Sequence, residues 1–149
     1  MLEVGNGQLS IAENRSHFSM WAMLAAPLLA GNDLPHMKPE IHSILTNKDV
    51  IAVDQDKLGK QAVLVYSNDE TDVWKKQLSG GALAVAVLNN SIYNRYSSHP
   101  IRIDLQRLGL RSGQEAKDLW TGKKILLRSN MPVELNGHDI LLLRIDNPK

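Results

Sequence analysis

The chain contains no cysteine in 149 residues. That excludes a disulfide framework and any thiolate-ligated metal site, and it leaves the compartment open, because a cysteine-free chain suits oxidising and reducing spaces alike. A surplus of charge of either sign is missing too: seventeen Lys and Arg stand against sixteen Asp and Glu. There is no basic stripe of the kind that follows a phosphate backbone, so no nucleic-acid partner is expected. Long apolar runs are also absent. The apolar stretch 20–30 is too short to cross a bilayer and is broken by Pro27, so no membrane partner is expected either. The first residues, Met1 to Gly7, show neither the basic start nor the apolar middle of a signal peptide. The five histidines, His17, His36, His42, His99 and His138, include no pair at the i, i+4 spacing that lets one helix face hold a metal; no metal and no cofactor are expected.

What is present is enough apolar residue, 43%, to bury a core, in a length that fits one ordinary domain or a small domain plus part of another. The two halves read differently. In the first, Ser10 followed by Glu13 fits a capping box, in which the hydroxyl takes the N3 amide and the carboxylate reaches back to the cap amide. Phe18, Trp21, Ala22 and Ala25 then recur at helical spacing, and Pro27 is expected to stop that helix. Leu28 to Asp33 is a short apolar run with a polar exit, the pattern of a buried parallel strand. Pro39 suits a helix first turn, with Ile41, Ile44 and Leu45 inward, and residues 49–54 predict a short helical turn.

From about Gln61 the pattern turns to β. Residues 63–66 and Val73-Trp74 flank a turn at 68–72, Gly80-Gly81 precedes an apolar strand over 82–88, and Ile101, Ile103 and Leu105 alternate with Arg102 and Asp104. Thr121-Gly122 and Asn136-Gly137 are turn dipeptides between further strands. Such spacing without long intervening helices predicts an antiparallel sandwich. The first 60 residues supply only about one and a half βα units, too few to close a parallel sheet. They therefore read as the tail of a larger α/β domain.

Three segments carry a family likeness. Met1-Leu2-Glu3-Val4-Gly5-Asn6-Gly7, the passage from His17 to Leu34 (HFSMWAMLAAPLLAGNDL) and the passage from Thr46 to Asp56 (TNKDVIAVDQD) resemble, in order and spacing, the end of the barrel in family-27 glycoside hydrolases of the α-galactosidase type. Asp72-Val73-Trp74 and the strand from Ala82 to Asn89 resemble that family's terminal sandwich. The resemblance implies a fold of α/β plus all-β class: residues 1–60 as the last βα elements of a (β/α)8 barrel, and residues 61–149 as an antiparallel β-sandwich. It implies a retaining exo-glycosidase of terminal α-galactosides, working with two aspartates that both lie upstream of the matched segments. No catalytic residue is then expected in this chain, and the chain alone is expected to be inactive, because retaining chemistry needs both carboxyls. A possible partner is the amino-terminal half of the barrel. The alternatives are a non-catalytic binding or assembly module, or one half of a split enzyme. Relatives of full length in that family are often secreted or lysosomal.

By the same resemblance Met1 matches a methionine beside the sugar at the end of the seventh strand, a substrate-binding candidate. Asn32 and Asp33 end the next strand and are candidates for shaping the pocket, since barrel sites sit at the carboxy-terminal strand ends. Glu3 reads as a structural carboxylate. Asp54 and Asp56 lie where the family leaves its barrel, away from any sugar. Trp21, Trp74 and Trp120 are weighed as core residues against sugar-stacking platforms. Asn14-Arg15-Ser16 and Asn89-Asn90-Ser91 match the glycosylation pattern. Without barrel partners, the apolar stretch 21–29 is expected to drive association.

Overall fold

The computed structural model describes residues 1–91, 99–146 and 148. Its organising element is a six-stranded antiparallel sheet in the order β1-β2-β3-β8-β5-β6, with β1 Val63–Ser67, β2 Thr71–Gln77, β3 Leu83–Asn89, β5 Glu115–Asp118, β6 Lys124–Leu126 and β8 Ile140–Ile145. A second, two-stranded antiparallel sheet pairs β4 His99–Ile103 with β7 Met131–Leu135. Four α-helices are present among the described residues: α1 Ile11–Met23, α2 Pro39–Leu45, α3 Lys48–Asp54 and α4 Leu105–Leu108.

The two central strands, β3 and β8, are covered on both faces, and their sequences are divided accordingly. Because successive strand residues point to opposite faces, Ala84 and Ala86 of β3 join Ile140 and Leu142 of β8 on one face, and Val85 and Val87 join Leu143 and Ile145 on the other. The alanine face lies against α1, whose Phe18, Ala22 and Met23 belong to the same core as Leu2, Val4 and Ile41. Small residues on the sheet let the helix approach closely. The valine face lies against β4 and β7, packing on Ile101, Ile103, Val133 and Leu135. A strand buried on both sides is why 83–88 reads as an unbroken apolar run rather than an alternating one.

Helix α1 begins as its sequence predicts. Ser10 and Glu13 form the complete capping box. Its buried face is not purely apolar, because Asn14, Ser16 and Ser19 are also buried. Each has a partner. The Asn14 side chain accepts from Gly5 N at 2.7 Å and donates to Leu9 O at 3.1 Å and Ser10 O at 2.9 Å. Ser16 Oγ donates to His138 O in the β7–β8 turn, and Ser19 Oγ accepts from Trp120 Nε1 at 3.0 Å. Arg15 pairs with Asp139 at 2.7 Å, and His138 meets Glu13 at 3.0 Å. The helix is thus tied to the sandwich along its length.

Its end departs from expectation. The helix stops at Met23, before Pro27, with Leu24 as cap and Ala25 at φ 51°. The carbonyls freed at this end take sandwich-side donors: Ala22 O accepts from Lys76 Nζ at 2.8 Å, and Met23 O from Ala62 N at 2.9 Å. Residues 28–33 do not build a strand of their own. They contribute one parallel bridge, Leu2 with Ala30, because only the short segment around Leu2 lies beside them to pair with. Leu105, expected as the last inward residue of a strand, instead opens α4, since the preceding Asp104 caps a helix by accepting from Gln106 N at 3.0 Å and Arg107 N at 3.3 Å. Residues 48–54 form two helical turns rather than one, started by the Asn47 side chain, which accepts from Asp49 N and Val50 N.

Lys76 is fully buried. Its ammonium sits at the carboxy-terminal, partly negative end of α1, with Asp54 and Asp56 close enough to act on it electrostatically. Replacing it with methionine leaves Ala22 O without this donor and removes the cation facing a buried carboxylate. Lys76→Met is expected to lower unfolding free energy by about 3–5 kcal/mol, measured by urea denaturation. The double variant Lys76→Met/Asp54→Asn should recover part of that loss.

Candidate functional site

Of the residues singled out by sequence, Met1, Glu3, Asn32 and Asp33 lie at the end of the molecule formed by the chain's first 45 residues. The backbone there runs Leu2 beside Ala30 in parallel register, with Leu2 N donating to Leu29 O at 2.9 Å. Leu2 and Val4 are buried toward α1, while Met1 and Glu3, at alternate positions, are exposed on the opposite side. Met1 is 75% exposed and lies over Gly31, where an added Cβ would come within 3.0 Å of its Cε. The absence of a side chain at position 31 is what gives the thioether its place.

Asn32 sits at the far end of the Ala30 bridge. Its amide Nδ2 donates to Val4 O, which ties the exits of the two paired segments together, and its Oδ1 is buried with no partner. Asp33 is exposed. It precedes the 3-10 turn Leu34–His36 without capping it and pairs with His36 Nδ1 at 2.8 Å. Asn32, Asp33 and His36 line a cleft of about 150 Å³ together with Gly5, Asn6 and Lys38. Gly5 is required there: its φ is 80°, and a Cβ would stand 2.6 Å from Ile41 Cγ2.

Glu3 engages Asn6, whose Nδ2 donates to Oε2 at 3.4 Å, and its backbone N donates to His17 Nε2 at 3.2 Å. His17 therefore presents an unprotonated Nε2 to the Glu3 backbone. Burial, the dominant influence, pushes its pKa below the ordinary value, against the opposing pull of Glu3. Its ring stacks on Trp21 at 4.8 Å between centroids. This backbone-to-ring bond from α1 to the Leu2 segment has no signature in the sequence beyond the helix periodicity that brings residue 17 over residue 3. The same holds for Gly31, where an isolated glycine in an apolar run marks a close approach.

Asp54 and Asp56 lie elsewhere, at the junction with the sandwich. Asp54 is buried and bonded by Gln55 Nε2, with Oδ1 unpartnered; burial pushes its carboxyl above the usual range, against the opposing effects of Gln55 and Lys76. Burial also acts upward on Asp56, but donation from Ser79 N, Ser79 Oγ and Leu58 N outweighs it and holds that carboxyl below the usual range. Asp56 thereby braces the chain between α3 and the Ser79–Gly81 turn. The tryptophans are placed in packing roles: Trp120 lies 6.5 Å from Phe18, Trp74 packs against the α1-facing core, and Trp21 donates to Pro27 O at 3.1 Å. Asn14 and Asn89, the two pattern asparagines, are buried, with their amides bonded inside the fold. Among the described residues no group of three or more His, Asp or Glu is placed to hold a metal ion.

Two family models match the chain: the alpha-galactosidase C-terminal β-sandwich domain over residues 68–145, and alpha-galactosidase A over residues 1–56. An alpha-galactosidase of Cyamopsis tetragonoloba is 39% identical over 142 residues, covering 93% of this chain and 33% of its own length. Alpha-galactosidase A of Cellvibrio japonicus is 34% identical over 153 residues, covering 97% of this chain and 38% of its own. Among solved structures, alpha-galactosidase I from Mortierella vinacea superposes with a TM-score of 0.86 at 28% identity, over 97% of this chain and 38% of that one. A family-27 β-L-arabinopyranosidase from Geobacillus stearothermophilus gives 0.82 at 26%, over 97% of this chain and 33% of that one. The chain spans about a third of the length of these relatives.

The two junction aspartates have opposite pH signatures. Asp54 binds its proton more tightly folded than unfolded, so its contribution to stability grows as pH falls from above its raised folded pKa and is complete below the unfolded one. Asp56 stabilises above its unfolded pKa, and that contribution is lost as pH falls through the depressed folded value. Asp56→Asn is therefore expected to cost roughly 1–2 kcal/mol at neutral pH, from weakened charge-assisted hydrogen bonds, with the deficit shrinking in acid. Asp54→Asn should be most favourable relative to the parent at neutral pH. Denaturant titrations across pH 3–8 read both.

Proposed function

Since the chain belongs to the α-galactosidase family, through the C-terminal β-sandwich it matches, we propose that it serves as the carboxy-terminal portion of a retaining exo-glycosidase of terminal α-galactosides. In this reading residues 1–60 complete the catalytic barrel and residues 61–149 form the sandwich behind it. The observation that carries the proposal is the parallel Leu2–Ala30 bridge packed on α1. A lone parallel pair has no reason to exist outside a larger parallel sheet, and this one has a helix covering only one side. Met1 and Glu3 point to the uncovered side, which a barrel fills with side chains and, at its carboxy-terminal mouth, with substrate. The relatives' names specify α-galactosidase activity, and that substrate class is carried over to the assembled enzyme.

Met1, exposed and seated over Gly31, is the substrate contact in this reading, and Asn32 and Asp33 shape the mouth beside it. Asn32 does so by holding the exits of the two paired segments together through Val4 O; Asp33 does so through its contact with His36 Nδ1. The chemistry itself needs two carboxyls about 5–5.5 Å apart on either side of the anomeric carbon. In this reading none of the acidic residues described here is that pair: at the mouth Glu3 accepts from Asn6 and Asp33 meets His36, and Asp54 and Asp56 lie at the sandwich junction. The nucleophile and the acid/base are thus supplied by upstream barrel strands, in one polypeptide or by a separate amino-terminal half.

The purified 149-residue chain is expected to give no hydrolysis of a chromogenic α-galactoside above a buffer blank. Mixing it with a separately produced amino-terminal barrel portion should restore turnover. In that mixture Asp33→Ala should raise KM several-fold. Turnover by the chain alone, abolished by substituting Glu3, would place the reaction in this chain and overturn the reading.

A further inference from the structure

The two outer edges of the six-stranded sheet are built differently. At one end, β6 is three residues long, begins with Lys124 and is preceded by Lys123, so a strand approaching it meets exposed positive charge. Short length and lysine are the usual means of keeping a sheet edge from pairing. At the other end, β1 has five residues, and the stretch 61–67, Gln-Ala-Val-Leu-Val-Tyr-Ser, contains no charge and no proline. Val63 is 60% exposed and Leu64 48% exposed. β1 pairs with β2 on one side only, and no described strand occupies its other side. A bulge between Leu64 and Tyr66 turns the far end of the strand, where Tyr66 lies 4.9 Å beneath the Arg107 guanidinium of α4. The free part of the edge is therefore centred on Val63 and Leu64.

The charges flanking this edge are segregated. Lys57 and Lys60, both exposed, precede β1, and Asp69, also exposed, follows it. Antiparallel pairing about a twofold axis sets the start of one strand beside the end of its mate, so each lysine end would meet the partner's Asp69 end. Parallel pairing would set like charges together. The edge is thus self-complementary in charge, as an isologous contact requires.

We propose that β1 is a dimerisation edge, pairing antiparallel with β1 of a second copy to join two six-stranded sheets into one continuous sheet. The contact is independent of the sugar-binding reading, because it lies on the sandwich and leaves the Met1–Asp33 end free. Sedimentation velocity of the full chain across a hundred-fold concentration range should show a monomer–dimer equilibrium. Val63→Lys and Leu64→Lys should each shift it to monomer with unchanged far-ultraviolet circular dichroism, while Leu126→Lys on the opposite edge should not. Hydrogen exchange on the unaltered chain gives a second reading that needs no substitution: amide protection over 61–66 should rise with concentration while that over 124–126 stays constant. A chain that stays monomeric throughout overturns the proposal. So does association that survives both lysine substitutions, which would instead belong to the exposed apolar residues Met1, Leu29 and Leu34.

Discussion

Everything in this molecule depends on β3 and β8 being buried on both faces. A sheet exposed on one side tolerates polar residues at every second position. Here there is no such position over residues 83–88 or 140–143, so both faces must be covered. The β4–β7 pair covers one, and α1 covers the other. That second layer belongs to the barrel-like part of the sequence. The sandwich and the preceding βα elements are joined through a common core in which Phe18 and Ala22 meet Ala84, Ala86 and Leu142.

The remaining features of the junction follow from holding a helix there. Asn14 is bonded to the chain's first segment, Ser16 to the β7–β8 turn and Ser19 to Trp120 between β5 and β6. Its carboxy-terminal carbonyls are capped by Lys76 and Ala62. A buried lysine is costly by desolvation, and it is retained where a helix end and two carboxylates both favour positive charge. In the proposed reading this rigidity matters, because α1 is also what sets the height and direction of the segment bearing Met1 and Glu3. Through the Glu3–His17 bond and the Asn14–Gly5 bond, α1 links the sandwich to that segment, which in the proposed reading is one wall of the sugar site.

Much of this architecture is legible in the sequence because it rests on local rules. The capping box at Ser10 and Glu13, the turns at Thr121-Gly122 and Asn136-Gly137, and the apolar run of β3 each declare themselves within a few residues. The departures arise where tertiary partners override local pattern. Leu105 continues a period-2 alternation, yet Asp104 caps a helix there. Residues 28–33 carry a strand pattern and find only Leu2 to pair with. Nothing local marks Lys76 as buried, since its partners are 54 residues upstream at Ala22 and 22 residues upstream at Asp54. The candidate site is legible only through family likeness: spacing alone distinguishes neither Met1 nor Asn32 from ordinary loop residues. The role of Gly31 beneath Met1 emerges only from the fold.

Native-state hydrogen exchange of the full chain tests the shared core most directly. If α1 and the central strands form one cooperative unit, the slowest amides of 14–23 and those of 83–88 will exchange through a common opening, with the same free energy and the same denaturant dependence. If α1 amides exchange through a separate opening several kcal/mol lower, the helix only rests on the sandwich, and a core shared between the two is contradicted.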